Sequence, residues 1–175
     1  EVTPNPNSLK FLPGKTVSNI GSFEVTKKDE TDSELVRNLL SVNGVTGVFL
    51  GSDFLSINKL ENIDWEDIKH IVISLINDFY STGKEFVIAN ELFRVKKVEL
   101  KEIEKKIISL LETKIRPAVA KDGGDIKFKE FKDGVVKVEL QGSCSGCPSS
   151  TMTLKQGVQN LLCHYLPEVK EVVAV

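Results

Sequence analysis

The apolar residues of this chain switch repeatedly between two spacings, and that alternation decides what it can fold into. Leu35, Val36, Leu39 and Leu40 recur at helical spacing, which predicts a helix capped by Thr31 or Asp32, whose side chains accept backbone N–H groups. The segment GVTGVFLGSDFLSINK (44–59) then breaks into two β-branched and aromatic runs around the Gly51–Asp53 turn, predicting a pair of strands. Trp65, Ile68, Val72, Leu75, Ile76 and Phe79 return to helical spacing, so a second helix is expected from Asp64 to near Gly83. Ahead of these, TPNPNSLKFLPGK is biased by its prolines toward extended and turn backbone, with SLKFL as its strand-like piece.

The same switching recurs after residue 98. Ile103, Ile107, Leu110, Leu111, Ile115 and Val119 predict a helix from about Glu99, bent or ended by Pro117. DGGD (122–125) reads as a turn, Ile126 and Phe128 alternate with lysines, and VVKVEL turns Val136, Val138 and Leu140 inward and Lys137 and Glu139 outward. A helix with Leu154, Val158, Leu161, Leu162 and Tyr165 on one face follows, closed by Pro167, and the strand VKEVVAV ends the chain. Residues 84–97 show no firm period and read as a linker. The expectation is an α+β chain of two small α+β domains, 1–83 and 98–175. With 175 residues and 41% hydrophobic content there is enough material for two packed cores. VRNLLSVNGVTGV and VQNLLCHYLPEVKEV share a local pattern but too few identities to establish a duplication.

Composition removes several function classes. Lys and Arg number 23 against 25 Asp and Glu, so no phosphate-tracking basic surface and no nucleic-acid partner are expected. The longest apolar runs, such as IVISLI, fall far short of the ~20 residues that cross a bilayer, and no membrane association is expected. Three cysteines, an odd and sparse set, argue for a reducing compartment over a secreted disulfide framework. The first residue is Glu1, so a targeting segment removed earlier would leave no trace. No residual targeting character is visible, which favours the bacterial cytoplasm, with the mitochondrial matrix as the location in a eukaryote.

QGSCSGCPSS (141–150) places two thiols, Cys144 and Cys147, between a predicted strand and a predicted helix. Unpaired N–H groups and the positive end of the helix dipole stabilise thiolates there, while the glycines admit close backbone approach. A pair of merely structural cysteines fits such a Gly/Ser loop poorly. A dithiol oxidoreductase of thioredoxin type fails on length, because only 28 residues follow Cys147. Metal binding needs about four ligands, whether for zinc or for an iron-sulfur cluster. Cys163 lies about fourteen residues into the following helix, roughly 20 Å away at 1.5 Å per residue, and does not reach the loop. His164 and His70 fall on polar helix faces and read as solvated. Completion by a second copy of the loop about a two-fold axis is then the economical solution. Zinc and iron-sulfur both accept four thiolates, and spacing does not choose between them.

IRPAVAKDGGDI, GVVKVELQGSCSGCPSSTMTLKQGVQNLL and YLPEVKEV, which span most of residues 115–172, resemble the C-terminal domain of NifU, the Nfu-type iron-sulfur cluster scaffold. TPNPNSLKFLPGK and VNGVTGVFLGSDFLSINK resemble the Nfu N-terminal domain. The resemblance implies a scaffold or carrier that binds a 4Fe-4S cluster (with 2Fe-2S as the other type) across a homodimer formed through the CxxC loop. It implies transfer of that cluster from upstream assembly proteins to apo iron-sulfur proteins. Cys144 and Cys147 match the family's ligand cysteines, and Cys163 matches none. The N-terminal half has no cysteine, and the family role implied for it is partner recognition or regulation. The working hypothesis is a cluster held near the surface, where acceptor thiolates replace the two cysteines in turn. No acid, base and nucleophile array is evident, so no enzyme is expected. A zinc-bridged structural dimer and a thiol oxidoreductase using the same CxxC are the alternatives.

Overall fold

Ser33, not Thr31 or Asp32, starts the first helix: its Oγ accepts the Val36 N–H at 3.4 Å. The two expected caps are engaged elsewhere, Thr31 Oγ1 accepting the Ser33 N–H at 3.1 Å and Asp32 pairing with Arg37 at 3.3 Å. Helix α1, Glu34–Ser41, buries Leu35, Val36 and Leu39, as the stripe requires.

The computed structural model describes residues 1–84, 87, 99–145 and 148–175. The chain divides into two compact units, Glu1–Phe93 and Arg94–Val175. Both mix helix and sheet, so the α+β class expected from the sequence holds. Apart from Lys84 and Val87, the segment expected to be a linker up to residue 97 lies outside the described residues.

The first unit is built on strands β1 (Ser8–Phe11), β2 (Phe23–Val25), β3 (Val45–Leu50) and β4 (Leu55–Lys59), ordered β1-β4-β3-β2 and paired antiparallel. Gly51 N–H bonds Phe54 C=O at 2.8 Å, closing the expected β3–β4 hairpin. Strand β2 carries only three residues, too few for an alternation to announce it, and it is fixed by its pairing to β3. Helix α2, Trp65–Ser81, follows Asp64, whose side chain makes no cap hydrogen bond. The Trp65 indole N–H donates to Pro6 C=O at 3.0 Å, tying the proline-rich opening to the start of the helix. Val48, Leu50, Leu55 and Ile57 from the sheet meet Leu35, Leu39, Val72 and Ile76 from the helices in one core.

In the second unit, helix α3 (Glu102–Leu110) begins three residues later than expected, where Lys101 N–H bonds Glu104 Oε2 at 2.8 Å. It passes through a π turn, Leu111–Ile115, into α4 (Arg116–Lys121). Pro117 does not end the helix: it lies in the first turn of α4, directly after the π turn. Strands β5 (Gly124–Lys132) and β6 (Val135–Gly142) pair antiparallel, and α5 (Pro148–Tyr165) carries the chain over to β7 (Glu171–Ala174), parallel to β6. Ile107, Leu111, Val119, Ile126, Val138, Val158 and Leu162 form the core of this unit. Tyr165, expected on the buried face of α5, is 49% exposed. The buried line runs through Val158, Leu162 and Leu166, and Tyr165, one residue from Leu166, is rotated by about 100° from that line.

Candidate functional site

Strand β6 delivers the chain to the cysteine loop through Gly142, at φ +66°. The loop is fastened to the turn before β5. Ser143 N–H donates to Gly123 C=O at 3.2 Å, and Ser143 Oγ donates to Asp122 C=O. Ser145 donates to Gly142 C=O through both its N–H (3.2 Å) and its hydroxyl (2.9 Å). Thr151 Oγ1, in the first turn of α5, donates to Cys144 C=O at 3.4 Å. DGGD and the cysteine segment, joined by a hydrogen bond 21 residues apart in sequence, are thus two halves of one braced corner. Gly123 needs its freedom there, since φ is +80°.

Gly124 has a different duty. It pairs with Gly142 across the sheet, and a Cβ built on it would lie 2.4 Å from Cys144 Sγ and 2.8 Å from Gln141 C=O. The Cys144 sulfur rests on a bare backbone that no other residue supplies. Cys144 is 6% exposed and belongs to the hydrophobic core of its unit. Residues 142–145 fold back against the turn before β5, which is what buries this residue. Cys147 lies outside the described residues.

Immediately after Gly124, Asp125 accepts two hydrogen bonds from Arg116, Nε to Oδ1 at 2.8 Å and Nη2 to Oδ2 at 2.9 Å, and a third from Ile126 N–H at 2.8 Å. Its side chain is 6% exposed and that of Arg116 is 36%. The fork geometry holds the guanidinium even more firmly charged than usual, the hydrogen bond to Asp125 being the main cause. Cross-strand from Asp125, Gln141 is buried and its Oε1 has no hydrogen-bond partner among the described residues. Lys127, next along the same face, is held below the usual lysine range, first by burial. Sequence reading missed this pair. The signal available was an Asp at the end of a glycine turn with an Arg nine residues earlier, but a proline and a turn intervene.

The other sequence candidates stand apart. Cys163 is near the far end of α5, partly buried, its Sγ 3.7 Å from Lys170 C=O. His164 is exposed and packs edge-on to Tyr165, and His70 is exposed on α2. Among the described residues no three His, Cys, Asp or Glu side chains converge as a metal-ligand set.

The model of the NifU-like domain matches residues 107–173, and that of the scaffold protein Nfu/NifU N terminal matches residues 1–83. A human protein, NFU1 iron-sulfur cluster scaffold homolog, mitochondrial, is 43% identical over 173 residues, covering 97% of this chain and 68% of the human one. The chain belongs to the Nfu/NifU family. NifU-like protein 4, mitochondrial, of Arabidopsis thaliana is 41% identical over 177 residues, covering 97% of this chain and 62% of the plant protein. The chain thus spans less than two thirds of the length of this Nfu relative. The solution NMR structure of a NifU-like protein from Saccharomyces cerevisiae is 32% identical, covers 52% of this chain and 82% of that one, and superposes with a TM-score of 0.47. Sequence, not superposition, carries the relationship.

Proposed function

We propose that this Nfu-family chain is an iron-sulfur cluster scaffold or carrier, not an enzyme, whose cargo is a 4Fe-4S cluster, or a 2Fe-2S cluster in a lighter loading. Cys144 and Cys147 are its ligands, a second copy of the same loop completes the set, and apo iron-sulfur proteins receive the cluster from a chain loaded by upstream assembly proteins. The observation that carries this reading is the braced corner: a CxxC loop at a strand-to-helix junction, fastened to DGGD by Ser143, in a chain whose relatives are named iron-sulfur scaffolds. The donor set suits the cargo. Thiolates are the soft ligands that iron-sulfur clusters take. Two thiols per chain leave the cluster short of ligands within one subunit, which favours hand-off over permanent retention. The mitochondrial names of the relatives support the mitochondrial matrix over the bacterial cytoplasm as the location. We assign residues 1–83 to an Nfu N-terminal-like domain, 84–97 to a linker and 98–175 to the cluster-binding domain.

Anaerobic reconstitution with iron and sulfide, followed by metal analysis and native mass measurement, tests this. The expected product holds about four iron and four sulfide per two chains, and Cys144→Ala or Cys147→Ala abolishes it. A fully loaded single subunit would defeat the shared site. A colourless zinc-bridged dimer, or reduction of disulfides by the metal-free monomer, would replace the proposal with the corresponding alternative.

A further inference from the structure

Helix α2 and the segment that carries β1 are fastened to each other at two points and stay apart between them. The Trp65 indole N–H donates to Pro6 C=O at 3.0 Å, and the Tyr80 hydroxyl, about four turns further along the helix, donates to Thr16 C=O at 2.9 Å. Between these ties lies a groove of about 400 Å³, within the range of about 300–1,000 Å³ over which ligand sites fall. Its lining is mostly apolar: Leu9, Phe11 and the buried Ile76, with Leu12 and Ile73 bordering it at 50% and 40% exposure. Ile73 lies off the buried stripe of α2, which runs through Ile68, Val72, Ile76 and Tyr80, so the packing of the helix does not require an apolar side chain there.

The charge of the groove is one-sided. Val2 and Leu9 pair across the edge of β1 and line the groove. The next pair, Glu1 and Lys10, joined by Lys10 N–H and Glu1 C=O at 3.0 Å, projects on the opposite face, where Lys10 Nζ stands 4.6 Å from the Phe54 ring. That leaves Lys69, exposed on α2, as the charge facing the groove, with Lys15 past its Tyr80 end, 5.7 Å from that ring. Neither Lys69 nor Lys15 has an ion-pair partner among the described residues.

We propose that this groove is a docking site for a partner protein, which inserts a pair of aliphatic side chains from a short segment between β1 and α2 and sets an Asp or Glu on Lys69. Covering Leu12 and Ile73 supplies the drive, and the carboxylate fixes the register and turns away basic segments. A lipid surface is a poor fit, because electrostatic attachment there draws on clusters of about four to eight basic residues. The site is independent of cluster binding: its residues all lie in the Glu1–Phe93 unit, which has no cysteine.

A displayed library of random short peptides, selected on the full chain, tests the groove. Enriched peptides are measured by fluorescence anisotropy against purified variants, with folding checked by circular dichroism and Trp65 fluorescence. The enriched peptides are expected to carry aliphatic residues beside an Asp or Glu. Ile73→Ser and Lys69→Glu, both at exposed positions that folding tolerates, are each expected to weaken them at least about tenfold. Lys69→Arg keeps the charge and is expected to cost less than about threefold. Changing the peptide's acid to its amide should lower affinity for wild type but not for Lys69→Glu. No enrichment, enrichment of basic peptides, or undiminished binding by folded Ile73→Ser overturns the site. Self-association of the wild type that Ile73→Ser abolishes would give the groove to a second copy, and binding to phosphatidylglycerol vesicles that both variants lose would give it to a membrane; either result overturns the proposal.

Discussion

The Arg116–Asp125 pair makes an asymmetric prediction. Arg116→Ala strips two charge-assisted hydrogen bonds from a carboxylate whose side chain is 6% exposed, while the bond from the Ile126 N–H survives. Stranding a buried charge this way typically costs 3–5 kcal/mol, and the surviving N–H bond together with water entering the vacated volume puts the loss at about 3 kcal/mol. Asp125→Ala strands a guanidinium that is 36% exposed and has Glu112 3.7 Å from Nη1. Water and Glu112 compensate much of that loss, which comes to about 1–2 kcal/mol. The double variant falls short of the sum of the two, by a coupling of about 1–2 kcal/mol. Urea unfolding of the full chain separates the effect by unit. The chain's one tryptophan, Trp65, lies in the Glu1–Phe93 unit, so its fluorescence follows that unit while far-ultraviolet circular dichroism follows both. The early loss is expected in the dichroism, with the fluorescence midpoint unmoved. Asp125→Ala costing as much as Arg116→Ala, or strict additivity in the double variant, would refute the picture of a buried acid clamped by a half-exposed base.

Two other outcomes follow from single residues. Cys163→Ala is expected to leave iron and sulfide per chain unchanged after reconstitution and to cost about 1 kcal/mol of stability, since the thiol is partly buried at the far end of α5; loss of the cluster in this variant would place a ligand where the helix length forbids one. Burial holds the Tyr80 phenol above its ordinary value of 10.0, so the unfolded chain ionises first and the first unit loses stability as pH rises through 10 and beyond. Tyr80→Phe gives up the bond to Thr16 C=O but should flatten that alkaline loss, read as the pH dependence of the Trp65 transition.

Where apolar spacing carried the information, the fold was legible. Leu35, Val36 and Leu39 on α1, the hairpin at Gly51–Asp53, and the inward Val136, Val138 and Leu140 of β6 all lie where their periods put them. What failed was local chemistry that periodicity does not encode. Ser33 caps α1 because Thr31 and Asp32 are drawn into other bonds. Strand β2 exists through its pairing partner. Tyr165 has the right spacing but the wrong side of a line that only the packed sheet defines. At the site, the cysteine loop and DGGD were both visible as motifs. Their mutual bracing was not, because it depends on the register Gly124↔Gly142 that brings the two together. The buried position of Cys144 follows from that register too.

The π turn at Leu111–Ile115 has a consequence for insertions and deletions. A wide turn advances the rod by one residue relative to a uniform α ladder, an offset of about 100° between everything upstream and everything downstream. Ile107 upstream and Val119 downstream both face the core across that offset, and Arg116, the first residue past it, is aimed at the start of β5. Trimming a single residue from 111–115 would yield a straighter and more regular rod with its two halves out of phase. Either the apolar side chains or the arginine would then miss its mark.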